Sequence, residues 1–233
     1  MRISVIIPAF NEEKSIPFVL NDIPNFVNQI IVCDNSSTDK TSEIAKNFGA
    51  KVVIEKKRGY GNACLKGISY LKNLTVKPEI VVFIDGDYSD DPKQMKNIID
   101  PIVNEGFDFV LGARTKSLRD KHSMTAHQIF GNWLACFLMK IFFNSKFKDL
   151  GPFRAITWDK LMQLNMQDKT FGWTIEMQIK ALMKNYKYKE IAVKYKKRIG
   201  KSKISGTLKG SILAGKKILY LIFKYYLKKK VGL

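Results

Sequence analysis

The sequence predicts an α/β fold with a mostly parallel central sheet, and three observations carry that expectation. Short β-branched runs at residues 3–7, 30–33, 51–54, 80–84 and 107–111 alternate with helical patterns at 13–21, 40–48, 61–71 and 92–104. Proline, hydroxyl and acidic residues fall where helices should begin, as Pro92 does for a first helical turn and Ser37 to Thr41 do for caps. Polar and acidic side chains gather just after the strand runs, where an open α/β sheet presents groups to a ligand.

Taken in order, the first strand ends in Pro8, Ala9, Phe10, Asn11, Glu12 and Glu13, and the second in Asp34, Asn35 and a run of hydroxyls. Both sets sit where a nucleotide crevice is expected. A carboxylate such as Asp34 can accept from a base N–H or a ribose hydroxyl, whereas Asp39 suits a helix cap equally well. After the third strand, Lys57 and Arg58 precede Gly59, Tyr60 and Gly61 at the start of a helix. Basic side chains and free helix N-terminal N–H groups suit a phosphate, and a tight turn is the competing reading. The fourth strand stops at Asp85, Gly86 and Asp87. Two converging carboxylates can hold Mg²⁺ or Mn²⁺, and the metal in turn a diphosphate. Asp and Gly are also ordinary turn residues, so the tripeptide alone decides little.

The second half differs. Residues 122–143 form a long helix candidate containing Trp133, Leu134, Phe137, Leu138, Ile141 and Phe142, glycines and basic residues gather at 197–210, and lysines alternate with aromatics to the C-terminus. His122 and His127 are five apart, which is not metal-ligand spacing on a helix.

At 233 residues the chain is expected to form one domain with a substantial core. A formal net charge of +19 favours an anionic partner: a phosphate-bearing substrate, nucleic acid or an acidic membrane surface. The three cysteines, Cys33, Cys64 and Cys136, form no metal or disulfide pattern, and Cys33 and Cys136 read as small core residues in a reducing compartment. The first apolar run is too short for a signal peptide, and no stretch is long enough to span a bilayer. The expectation is a cytoplasmic protein, soluble or peripheral at the inner face of the membrane.

The segments PAFNEE, DNSSTDKT, KRGYGNA and FIDGDYSDDP, in this order and spacing, resemble the family 2 glycosyltransferases. The likeness continues through Gly112 to Arg114, Asp149 to Arg154, Gly172 to Glu176 and Arg198 to Lys203, and is closest to the branch of dolichyl-phosphate mannose and glucose synthases and their polyprenyl-phosphate relatives. It implies a GT-A fold, a Rossmann-like three-layer sandwich over residues 1–207 followed by a basic amphipathic helix at 208–233. It further implies that Pro8, Ala9, Glu12 and Asp34 line a nucleotide pocket, with Arg58 and Gly61 beside it. Asp85, Gly86 and Asp87 would bind metal and diphosphate, and Arg198, Ser202 and Lys203 would close over the diphosphate. Two departures stand out: a glycine between the acids of DGD, and GPFR in place of a small residue, Gly, Phe, Arg.

For the reaction, metal, Arg198 and Lys203 would offset charge growing on the departing nucleoside diphosphate. A phosphate acceptor, with its second pKa near ~6, attacks without a base. Asp87, Arg114, Arg154 and Glu176 are the catalytic candidates. Arg114 and Arg154 suit the acceptor phosphate. Glu176 is the candidate base for an alcohol acceptor, or else an acid that orients a basic side chain, and Asp149 carries the same two readings.

In the C-terminal helix Lys209, Lys216, Lys217, Lys224 and Lys228 oppose an apolar face with Ile212, Leu219, Ile222, Phe223 and Tyr226. Such a helix either lies in an anionic membrane interface or packs on the domain, and the net charge favours the membrane. The leading expectation is transfer of a hexose from a UDP- or GDP-sugar to polyprenyl phosphate, with inversion. The alternatives are a soluble or glycan hydroxyl acceptor and, from another class, a nucleic-acid-binding module. The last lacks any recognisable motif, so no nucleic-acid partner is expected. Oligomeric state is not legible.

Overall fold

The computed structural model describes residues 1–200 and 208–231. Ser202 and Lys203 lie outside the described residues. The first half alternates as expected: β1 (Ile3–Ala9), α1 (Ile16–Asp22), β2 (Gln29–Asp34), α2 (Thr41–Asn47), β3 (Lys51–Ile54), α3 (Tyr60–Lys72), β4 (Ile80–Phe83), α4 (Met95–Glu105) and β5 (Phe109–Ala113). The second half supplies α5 (Ala126–Phe143), β6 (Arg154–Thr157), α6 (Trp158–Leu164), α7 (Trp173–Met183), β7 (Tyr188–Ala192) and α8 (Leu208–Lys230). Helix α1 starts later than its hydrophobic pattern because the Ser15 and Ile16 amides turn back onto the Glu12 carbonyl. Pro92–Gln94 forms a 3-10 turn, capped by the Asp91 side chain, before α4 begins.

The strands form one seven-stranded sheet in the order β3-β2-β1-β4-β6-β5-β7. All neighbours are parallel except that β6 runs antiparallel between β4 and β5. Every residue of β1 and of β4 is buried, which is why both read as uninterrupted apolar runs. Alternate side chains feed two cores. Ile6, Ile31, Val81 and Phe83 pack with residues of α3, α5, α7 and α8, whereas Val5, Ile7, Val32 and Val82 pack with α1, α2 and α4. The result is a three-layer sandwich. The three cysteines are free and buried.

Helix α8 packs on the domain. Leu221, Ile222 and Tyr225 are buried, each of the aliphatic pair contributing about 1.5–3 kcal/mol relative to exposure. Leu221 occupies the space above Gly172, where any Cβ would overlap its Cδ1. Lys217 pairs with Asp168 at 2.9 Å, and the Tyr225 hydroxyl donates to Glu176 at 2.8 Å. The sequence-based membrane face therefore needs correction: Ile222, assigned to it, is wholly buried and points into the core. No helix among the described residues is long and apolar enough to cross a membrane.

Candidate active site at the carboxyl end of the central strands

The parallel pairing of β1 with β2 and β4 brings their carboxyl ends together, with Ala9 opposite Asp34 in register. The loops that follow are interlaced. Asp39 accepts from the amides of Glu13 and Thr41, the Thr41 hydroxyl accepts from the Glu12 amide, and Asp34 accepts from the Ser37 amide and the Ser42 hydroxyl. Asp39 thus ties the turn into α2 from the position before its N-cap, Lys40, and Asp34, buried, also shapes its own turn. Gly86 lies against Pro8, Ala9 and Glu12, with their nearest atoms 3.4–3.6 Å from where its Cβ would be. Arg58 stacks on the Phe10 ring at 3.5 Å, on the rim of the same crevice.

At the end of β4, Asp85 accepts a 2.9 Å hydrogen bond from the Tyr60 hydroxyl. Asp87 accepts from the Ser89 amide and hydroxyl through Oδ1, while Arg198 sits 3.1 Å from its Oδ2. The same arginine lies 3.4 Å from Glu12. Burial and the charge of Asp87 push the Asp85 carboxyl up to about 7. Such crowding of like charge is what a divalent cation relieves. Among the described residues no group of three His, Cys, Asp or Glu side chains is arranged to hold a metal ion by itself. The two carboxylates, hard oxygen donors crowded at one strand end, fit Mg²⁺ or Mn²⁺, which are commonly held by one or two carboxylates plus substrate phosphates.

Several sequence-assigned residues turn out to have other partners. The Gly61 and Asn62 amides, taken as a phosphate cradle, donate to the carbonyls of Thr170 and Lys169 at 3.2 and 3.0 Å. A Cβ on Gly61 would overlap the Asp168 carbonyl, so glycine is required there to admit a protein loop rather than an anion. Glu176 is buried and accepts from the Gln167 and Asp168 amides, Tyr225 and Lys180. With both oxygens engaged it is a structural acid, and the general-base reading is set aside. Arg154 is fully buried, donating to the carbonyls of Gly151 and Thr174, and burial lowers its pKa to about 10. It cannot touch an acceptor from there. Arg114 forms a two-point pair with Asp149, at 2.8 and 2.7 Å, and this lowers the Asp149 pKa despite burial. Asp149 is thereby a structural partner too.

Three site residues escaped sequence reasoning. Tyr60, read as part of a turn, reaches Asp85, and Ser89 orients Asp87. Asp90 is buried, with neither carboxylate oxygen hydrogen-bonded among the described residues. Burial and the neighbouring Asp85 and Asp87 raise its pKa well above the usual carboxylate value. The only sequence signal for it was an acid-rich run after β4. A surface depression lined by Asn144, Tyr188 and Lys229 lies at the opposite end of the sheet, away from these carboxylates.

Residues 4–172 match the family profile described as glycosyl transferase family 2. The chain belongs to this family. An uncharacterized glycosyltransferase of Mycobacterium tuberculosis is 32% identical over 213 residues, 91% of this chain and 94% of the relative. A dolichyl-phosphate hexose transferase of Haloferax volcanii is 28% identical over 221 residues, 93% and 92% of the two chains. Among solved structures, glucosyl-3-phosphoglycerate synthase from M. tuberculosis, in complex with Mn²⁺, uridine diphosphate and phosphoglyceric acid, superposes with a TM-score of 0.76. That match covers 97% of this chain and 78% of the other at 20% identity. It establishes the GT-A fold. The chain is a family 2 glycosyltransferase, and the carboxyl-end crevice around Asp85 and Asp87 is its candidate active site.

Proposed function

We propose that this glycosyltransferase moves a hexose from a UDP- or GDP-sugar to polyprenyl phosphate at the cytoplasmic face of the membrane, in a divalent-metal-dependent reaction with inversion at the sugar carbon. Asp85 and Asp87 hold the cation, and Pro8, Ala9, Glu12, Asp34 and Gly86 line the nucleotide pocket, with Arg58 at its rim. When bound, the cation offsets the negative charge that builds on the departing diphosphate. Arg198, resting on Asp87 and Glu12, is placed to donate to that diphosphate, in concert with Ser202 and Lys203 of the following segment.

The observation that carries the acceptor assignment is the full engagement of Glu176. An alcohol must lose a proton as it attacks, whereas a phosphate monoester is already ionised near neutrality, so the loss of Glu176 as a base favours the phosphate. The Haloferax dolichyl-phosphate hexose transferase, similar along almost its whole length, supports the same acceptor class. One feature favours a second reading. Asp90 is an unpaired carboxylate beside the site and is the residue that would take a proton from a hydroxyl acceptor.

A thermal-shift panel of UDP- and GDP-sugars with and without Mn²⁺ identifies the donor, since a ligand of the native state alone raises its stability. Transfer from that donor to detergent-dispersed polyprenyl phosphate is expected, and Asp90→Asn is expected to leave it within a fewfold of wild type. Transfer only to hydroxyl acceptors, abolished by Asp90→Asn, overturns the phosphate assignment.

A further inference from the structure

The outer face of α5 carries large apolar side chains in water. Phe130, Trp133, Phe137 and Ile141 are 60%, 56%, 46% and 57% exposed. Their spacing of three and four residues sets them in one line along the helix. They are not scattered: Trp133 stacks on Phe137 with centroids 5.5 Å apart, and Phe130 lies 5.9 Å from Trp133. Phe142, half-buried on the flank of α5, touches Phe223 at 5.5 Å and Tyr226 at 4.5 Å on α8. Beyond that contact Tyr220, Phe223 and Leu227 are again exposed on α8. A contiguous apolar patch of this kind marks an interaction surface.

The charge around the patch selects the partner. Helix α5 contains Lys140 and no acid, and the 23 residues of α8 contain lysines throughout and no acid. A second copy docked on this face by a twofold axis would set lysine against lysine. An anionic bilayer instead offers hydrocarbon for the aromatic line and phosphate for the lysines, the combination that interfacial helices use. With no helix able to cross a membrane among the described residues, the contact is one of surface docking.

We infer that the outer faces of α5 and α8 together form a docking surface for an anionic lipid bilayer, with the α5 aromatic line as its inserting edge. The surface is wired to the active-site side of the molecule. Asn132 of α5 accepts from the Leu150 amide and donates to the Lys148 carbonyl, and Asp149 between them holds Arg114. Docking would thus bring a lipid-borne acceptor alongside the crevice; the purpose rests on the polyprenyl-phosphate reading, but the contact itself does not.

The test is flotation of the full chain with vesicles of phosphatidylcholine alone or mixed with phosphatidylglycerol, with no polyprenyl phosphate present. Binding to the anionic vesicles is expected, weakened by salt, and reduced about tenfold or more in a Phe130→Ser, Trp133→Ser, Phe137→Ser variant of unchanged thermal unfolding. Trp158 and Trp173 are buried, so a vesicle-induced blue shift of tryptophan emission is expected to vanish in Trp133→Phe. Failure of the wild type to float, or equal flotation of the triple variant, overturns the inference. A wild-type dimer by light scattering that the triple variant dissolves assigns the face to self-association and overturns it as well. Transfer to polyprenyl phosphate in detergent, measured separately, judges the acceptor reading whichever way flotation falls.

Discussion

The Arg198 guanidinium lies 3.1 Å from Asp87 Oδ2, so one of the two carboxylates assigned to the metal is already neutralised by a side chain from the far end of the chain. Cation binding and this ion pair draw on the same carboxylate. Arg198→Ala is therefore expected to change two quantities in opposite directions. Mn²⁺ binds the donor-free variant more tightly, by calorimetry, because a competing positive charge is gone. Turnover falls by about 10²-fold or more, because the diphosphate loses its charged donor. Loss of both together would place Arg198 in the fold alone.

Replacing Asp87 by Asn removes a metal oxygen while retaining the shape that accepts from Ser89. The Mn²⁺-induced thermal shift is expected to disappear and metal-dependent transfer to fall by about 10²-fold or more, with the circular dichroism spectrum unchanged. Unaltered turnover would remove the metal assignment from this strand end.

Glu176 separates a structural from a catalytic carboxylate. It is 1% exposed and paired with Lys180 at 2.7 Å while it also anchors Tyr225 and the 167–168 amides. Glu176→Ala leaves the Gln167 and Asp168 amides and the Tyr225 hydroxyl without their acceptor, while Lys180 keeps the Asn165 carbonyl, so a loss of about 1–3 kcal/mol in urea unfolding is expected. Glu176→Gln keeps the side-chain shape and one of the two acceptor oxygens, and is expected to retain most turnover with an unshifted pH profile when assayed below its melting temperature. A base would instead lose its alkaline-favoured limb in that variant.

Much of the donor half was legible because β1, β4 and β5 are wholly buried apolar runs, β2 and β3 are β-branched, helical patterns separate them, and several end in side chains with evident chemistry. The acceptor half was not, for reasons visible in particular residues. Strand β7 reads Tyr188, Lys189, Glu190, Ile191, Ala192, with no residue fully buried, so no apolar run announces an edge strand. Strand β6 has only four residues and enters the sheet antiparallel, against the periodic βα pattern. The Gly59 and Gly61 turn looked like an anion cradle because local sequence cannot show that the 168–170 carbonyls take its amides. Glu176 looked catalytic for the same reason: all but one of its partners, Lys180, lie outside its own helix.

The pH dependence of stability has an unusual sign. Burial holds the Glu190 carboxyl up at about 7 even though the Lys148 and Asp149 amides donate to it, and burial with Asp85 and Asp87 raises Asp90 as well. Unfolded, such groups titrate near ~4.3 and ~3.9. Between those values and their folded pKa the native state binds more protons, so stability falls as pH rises through the window from about 4 to 7. Metal-free melting temperatures are expected to drop between pH 5 and pH 8. Asp90→Asn and Glu190→Gln should each flatten that drop by raising the value at pH 8 more than at pH 5. A melting temperature that climbs over the same range would contradict the assignment.

Gly61 links α8 to the carboxylates through backbone packing. Lys217 of α8 holds Asp168, the Asp168 carbonyl fills the space above Gly61, and the adjacent Tyr60 donates to Asp85. In Gly61→Ala the new methyl and that carbonyl cannot both stay, and neither is a flexible side-chain end that moves cheaply. Displacing the 168–170 segment also breaks the bonds from the Gly61 and Asn62 amides. A destabilisation of about 1–3 kcal/mol is expected from overpacking, together with a weaker Mn²⁺ and donor response as Tyr60 shifts off Asp85. Tyr60→Phe isolates the second effect, because it removes the hydroxyl and leaves the turn intact. If Tyr60→Phe binds Mn²⁺ and donor as the wild type does while Gly61→Ala does not, the loop acts on the site through position rather than through the Tyr60 hydrogen bond.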